Sequence, residues 1–175
     1  MQDGKRHLIL IGFMGTGKST VGKAVAELLQ VPWRDTDLSL ETEWGHSIPE
    51  YFKRYGENAF RQAETGMLAK CLAEKPAVIT TGGGIVLHPG NRDLMIQNGY
   101  VIHLQADANT IIKRVKQDDP KRPLLAGNQV EKKVQELMQE REGYYDFADF
   151  TIDTTASSLQ KIINEVVQYW QKQAV

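Results

Sequence analysis

Gly12-Phe13-Met14-Gly15-Thr16-Gly17-Lys18-Ser19 fits the pattern G-x-x-x-x-G-K-[ST], and the residues on either side decide how it is read. Before it, His7 to Ile11 is a continuous apolar run of strand length. After Lys18 the period changes, with Val21, Val25, Leu28 and Leu29 at i, i+4, i+7 and i+8, one face of a helix. A glycine-rich loop between a strand and a helix can turn successive backbone N–H groups around phosphate oxygens, at the positive end of the helix that follows. Lys18 is then expected to reach the β- and γ-phosphates and the Ser19 hydroxyl to ligate Mg²⁺, with Gly12, Gly15, Thr16, Gly17 and Thr20 completing the cradle.

Working outward, strand-like and helix-like segments alternate along the chain. Further strands are expected at Val31 to Asp35, Ala77 to Thr81, Tyr100 to Leu104 and Phe150 to Asp153. Leu159, Ile162, Ile163, Val166, Val167 and Trp170 form the apolar stripe of a last helix. This alternation predicts an α/β fold in three layers, a parallel sheet covered by helices on both faces. With 175 residues and neither a repeat nor a linker, one domain spanning 1–175 is expected. The polar, proline-interrupted stretch from Lys116 to Asn128 reads as a mobile lid between two helices.

Charge and composition exclude several classes. Twenty-one Lys and Arg against 22 Asp and Glu leave a net charge of −1, which provides no general field for nucleic acid or anionic lipid. The single cysteine, Cys71, builds neither a disulfide framework nor a metal cluster, and a reducing cytoplasm is its expected home. Lys5-Arg6 and the apolar run behind it mimic a secretory signal, but no small-residue cleavage site follows, and no run reaches membrane-helix length. The strings D-x-x-G and N-K-x-D of GTPase switches do not occur, and the chain is short for a motor-type ATPase. A small kinase that passes the γ-phosphoryl group to a nearby acceptor fits best.

The acceptor site is sought at the carboxyl edge of the same sheet. Asp35 and Asp37 follow the second strand, and strand alternation would point both the same way, one to Mg²⁺-bound water and one to an acceptor hydroxyl. The next strand ends without an acidic residue, which favours Asp35 as the metal partner; helix capping is the competing use of either Asp. Arg61 and Glu64, three apart in a segment read as opening a helix, form either an intrahelical ion pair or an oriented clamp for a carboxylate. Gly82-Gly83-Gly84 is either a close-approach segment or a tight turn. Arg122, flanked by proline, suits a transition-state arginine, and Arg141 continues an inward-facing stripe where a charge needs a partner. Tyr144 and Tyr145 read as packing at the end of that helix, and no histidine has ligand spacing.

Taken in order, the phosphate loop, D-T-D, F-R-x-x-E, G-G-G, R-P-L and R-x-x-Y-Y resemble shikimate kinase of the P-loop type over essentially the whole chain. The resemblance implies a five-stranded parallel sheet related to the nucleotide monophosphate kinases, with a closing lid of about 116–128 and an acceptor region of about 36–64. It implies transfer of the γ-phosphoryl of ATP to the 3-hydroxyl of shikimate, on the route to chorismate and the aromatic amino acids. By position, Asp37 would hold the acceptor hydroxyls, Arg61 and Arg141 the shikimate carboxylate, and Phe52 and Phe60 would wall the pocket. Glu64 would join the substrate contacts, and Gly83 and its neighbours would offer backbone ones. Lys18 and Arg122 would stabilise the transferring group, Arg114 would contact adenine, and Asp35 with Ser19 would support one Mg²⁺. After Asp153 the chain lacks the proline that often completes the adenine contact in this family. A related enzyme such as gluconate kinase and a non-catalytic nucleotide sensor are the alternatives. A monomer is expected, with ATP and shikimate as partners and neither nucleic acid nor membrane.

Overall fold

The structure is a computed structural model that describes residues 7–117 and 130–173. Five strands, β1 (His7–Ile11), β2 (Trp33–Asp35), β3 (Val78–Thr80), β4 (Gly99–Gln105) and β5 (Phe150–Asp153), form one parallel sheet in the order β2-β3-β1-β4-β5. The described helices are α1 (Lys18–Leu29), α2 (Thr36–Trp44), α3 (Ile48–Ala73), α4 (Pro89–Asn98), α5 (Ala108–Gln117), α6 (Val130–Glu140) and α7 (Leu159–Gln173). The expected α/β architecture is therefore observed.

Strand β1 is central, and every one of its residues is buried, as a strand covered on both faces must be. Side-chain alternation divides the core. Ile9 and Ile11 of β1, Ile79 and Val101 pack on one face against Leu68, Leu72 and Met95 of α3 and α4. Leu8 and Leu10, with Val78, Ile102 and Ile152, face Val21 and Val25 of α1 and Ile162, Ile163 and Val166 of α7. Burying each such side chain contributes about 1.5–3 kcal/mol, so both helical layers are fixed to the sheet by the same five-residue strand. A third cluster, Phe13 with Ile111, Val115, Val134 and Leu137, ties the phosphate loop to α5 and α6.

Phe60 and Arg61 lie in the opening turns of a helical segment, as expected, because α3, which begins at Ile48, is broken at Gly56 (φ 80°, ψ 175°) and resumes after it. Two local expectations are corrected. Asp35 and Asp37 are not related by strand alternation, because β2 ends at Asp35, which is the N-cap of α2. Tyr144 and Tyr145 lie in turns beyond α6, which ends at Glu140. The expected lid falls almost wholly on 118–129, outside the described residues.

The loop that follows β1 leaves the sheet through Gly12, whose φ of 149° is a conformation side-chain-bearing residues resist. A Cβ there would also collide with the Leu104 carbonyl oxygen of β4. Gly12→Ala is expected to cost about 1–3 kcal/mol in urea unfolding and to abolish ADP binding in titration calorimetry; wild-type values for both would contradict this account of the loop.

Candidate active site

The phosphate loop is built around one carbonyl. Phe13 O accepts from Thr16 Oγ1 at 2.8 Å and from Lys18 Nζ at 2.9 Å, and both donors are buried. Gly17 caps α1 in the left-handed conformation, and the first turn of α1 contains no acidic residue, so its positive end faces outward unneutralised. Gly15, Gly17, Lys18, Ser19 and Thr20 line a cavity of about 990 Å³; Gly12 does not line it, and Thr16 lines a second, smaller one. This is a cradle shaped for a polyphosphate.

At the end of β2, Asp35 serves as the helix cap and also holds Ser19. Its Oδ1 accepts from the N–H groups of Asp37 and Leu38 at 3.1 Å each, the capping role, while Oδ2 accepts from Ser19 Oγ at 2.7 Å. With its proton directed at Asp35, the exposed Ser19 hydroxyl has its lone pairs free for a cation. Among the described residues no group of three or more His, Cys, Asp or Glu could enclose a metal. That fits Mg²⁺, which keeps several waters and is held by few protein oxygens together with substrate phosphates.

The opposite wall of the cavity forms around Gly82, Gly83 and Gly84, directly beyond β3. Each glycine makes room for a charged side chain. A Cβ at Gly82 would lie 2.7 Å from Asp37 Oδ1 and 2.8 Å from Glu64 Oε1, and one at Gly84 would lie 2.7 Å from Arg61 Nη2. Gly83 lies against Arg141, whose Nη1 donates to the Gly83 carbonyl at 3.0 Å. The Gly83 carbonyl also accepts from Tyr145 Oη at 3.3 Å. The turn reading holds, with Gly83 and Gly84 in a turn, and the triplet's bareness permits close approach by four side chains of the protein itself.

Arg61 is an ion-pair partner and a wall residue at once. It donates to Glu64 at 2.9 Å and to Glu57 at 3.2 Å, and packs over Phe60, which in turn meets Phe52 at 4.6 Å between ring centroids. Arg141 is 4% exposed and its guanidinium rests over the Phe13 ring, so the phosphate loop itself supports this arginine. Among the described residues, Asp37 Oδ1 and Glu64 Oε1 are buried and accept no hydrogen bond. Burial, then Glu64 and Asp35 nearby, push the Asp37 carboxyl up to about 7; burial also raises Glu64, against the pull of Arg61.

Arg114 lies outside this cavity, on the β4 and β5 side of the loop. It donates to Gly15 O at 3.1 Å, to Thr154 Oγ1 at 3.1 Å and to Thr154 O at 2.8 Å. Arg122 lies outside the described residues. The sequence reads Tyr145 as packing only, and it gives no role to the side chains of Phe13, Thr80 and Thr154. Thr80 and Thr154 are fully buried, and a hydroxyl at the end of an apolar strand, needing a buried partner, was the available signal for Thr80.

A phosphate loop that shares one cavity with a buried carboxyl and two guanidinium groups is the arrangement of a P-loop kinase. The family model described as shikimate kinase matches residues 14–171. A shikimate kinase of Caldanaerobacter subterraneus is 41% identical over 95% of this chain and 97% of its own length, and one of Enterococcus faecalis is 43% identical over 92% and 96%. The solved shikimate kinase of Acinetobacter baumannii in complex with shikimate superposes with a TM-score of 0.90 at 32% identity, covering 97% of this chain and 95% of the other. The chain belongs to the shikimate kinase family.

The Asp37 shift has a measurable sign. Its carboxyl holds a proton to about pH 7 in the folded protein but only to about 3.8 when unfolded, so stability falls as pH rises between those values. Asp37→Asn removes this penalty and should gain about 2–4 kcal/mol over wild type at pH 8 relative to pH 4, read by urea unfolding. A stability difference independent of pH would contradict the buried-acid account.

Proposed function

We propose that the protein transfers the γ-phosphoryl group of ATP to the 3-hydroxyl of shikimate, giving shikimate 3-phosphate and ADP for the synthesis of chorismate and the aromatic amino acids. The observation that carries this reading is the convergence of Asp37, Glu64, Arg61 and Arg141 on Gly82 to Gly84 in the cavity that Lys18 enters. A carboxylated polyol needs guanidinium groups at its acid end and a carboxylate at its hydroxyl end.

Arg61 and Arg141 hold the shikimate carboxylate, Arg141 without competing protein acids in its own hydrogen bonds and Arg61 through the donors not spent on Glu57 and Glu64. Phe52 and Phe60 exclude water beside the ring. Asp37, close to neutral pH in its affinity for protons, accepts the hydroxyl proton as the new O–P bond forms. The bond between the γ-phosphorus and the bridging oxygen breaks, and ADP leaves with that electron pair. Lys18 moves its ammonium from Phe13 O to the phosphoryl oxygens, while the backbone of Gly12 to Thr20 holds the phosphate chain. Arg122 adds positive charge to the transferring group. Arg114 supports the nucleoside, because an acceptor over β2 and β3 leaves the β4 and β5 side for the base. Ser19, with Asp35 behind it, would hold one Mg²⁺ ion, which would neutralise charge on the β- and γ-phosphates. The protein is proposed to act as a cytoplasmic monomer without nucleic acid; among the described residues no helix is long and apolar enough to cross a membrane.

Shikimate-dependent ADP release, with gluconate and nucleoside monophosphates as controls, tests the assignment; turnover of a control but not of shikimate would overturn it. Arg141→Ala is expected to weaken shikimate binding by about 2–5 kcal/mol and leave ADP binding nearly intact. Equal losses for both ligands would indicate a structural role. Arg122→Ala should lower kcat, and a change confined to KM would contradict a role in the transition state.

A further inference from the structure

We propose that Thr80, anchored by Trp33, is a positioning residue that fixes the Asp35 carboxylate and, through it, aims the Ser19 hydroxyl at a divalent cation. The inference deepens the cation reading given above and rests on it. Thr80 ends β3 directly beside Asp35, its partner in register on β2, and is fully buried. Trp33 Nε1 donates to Thr80 Oγ1 at 3.1 Å. An indole N–H is only a donor, so the direction of this bond is fixed, and the Thr80 proton must go elsewhere. Its choices are Asp35 Oδ2 at 2.7 Å and Arg34 O at 3.5 Å, and the short, charge-assisted contact to the carboxylate prevails.

The chain of donors therefore runs from Trp33 to Thr80 to Asp35, where it meets the opposing donor Ser19 Oγ at 2.7 Å. Together with the N–H groups of Asp37 and Leu38 on Oδ1, four donors occupy the carboxylate. A carboxylate offers about four lone-pair sites, so turning this one about its Cβ–Cγ bond breaks bonds at both oxygens. Without Thr80, Oδ2 is held only by Ser19, whose own torsion is free at an exposed position. Helix α1 leaves space for the arrangement: a Cβ at Gly22 would collide with Thr80 Cγ2 and lie 3.3 Å from Trp33 Nε1.

Mn²⁺ binding to the enzyme with ADP and shikimate, followed by the electron paramagnetic resonance of free Mn²⁺, tests the proposal independently of turnover. Thr80→Val keeps the shape and removes the hydroxyl; it should weaken Mn²⁺ binding about 10-fold, as loss of partners behind a metal ligand does. Shikimate affinity and metal-free ADP affinity should stay at wild-type values, and Thr80→Ser should restore Mn²⁺ binding. Thr80→Ala, free of any strain from the added methyl, should repeat the loss. Wild-type Mn²⁺ affinity in both Thr80→Val and Thr80→Ala, with Ser19→Ala strongly weakened, would overturn the proposal and leave the cation reading standing. Unchanged Mn²⁺ affinity in Ser19→Ala would overturn that reading and the proposal with it. Parallel losses of metal-free ADP and shikimate affinity in Thr80→Val would reduce Thr80 to a structural role.

Discussion

Three consecutive residues without side chains, Gly82 to Gly84, allow charged groups from α2, α3 and the turn after α6 to approach a single backbone segment. Asp37 and Glu64 close over the first glycine, Arg141 over the second and Arg61 over the third. The segment also reaches the phosphate loop, since a Cβ at Gly83 would lie 3.3 Å from Met14 N. The acceptor wall and the nucleotide cradle thereby share a border about one backbone thick. In-line transfer needs that closeness, because misplacement of reacting groups by about 1 Å costs roughly 100-fold in rate.

Crowding like charges has an electrostatic consequence. Asp37 and Glu64 oppose each other across Gly82, and burial disfavours the charged form of both. Lys18 offsets part of this at Asp37, and Arg61 and Arg141 do so at Glu64, which leaves the Asp37 carboxyl at about 7. The same crowding explains why the arginines are braced from behind. Arg141 rests on Phe13 and Arg61 on Phe60, so ring faces hold guanidinium groups whose remaining donors stay available. Among the described residues the cavity sets four cations, Lys18, Lys53, Arg61 and Arg141, among five carboxyl groups, so in a chain of net charge −1 the positive charge is placed at particular points rather than as a general field.

Much of the frame was legible because burial writes itself into residue order. The run from His7 to Ile11 became the central strand at its expected bounds, and the stripe from Leu159 to Trp170 lies in α7. The phosphate loop was legible because its glycines and lysine serve a local geometry. Contacts made across long sequence separations were not. Asp35 reads as a metal partner or a cap, and nothing near it in sequence announces its hydrogen bonds to Ser19 and Thr80, 16 and 45 residues away. Tyr145 was read as packing because nothing nearby announces that its hydroxyl reaches Gly83, 62 residues earlier. Arg114 similarly owes its fixed position to Thr154, 40 residues later. The glycine triplet was recognised as significant, but its steric meaning required knowing which side chains lie against it.

The account depends most on the bareness of that triplet, and Gly84→Ala examines it with the smallest change. The added methyl would meet the Arg61 guanidinium, with Cζ only 2.8 Å away, and must displace it. Moving this guanidinium, the far end of a flexible side chain, costs little stability but should weaken shikimate binding about 10-fold or more in titration calorimetry, while ADP binding to the separate cradle stays at its wild-type value. Undiminished shikimate affinity in a folded Gly84→Ala protein would contradict the claim that the acceptor site is organised around this backbone.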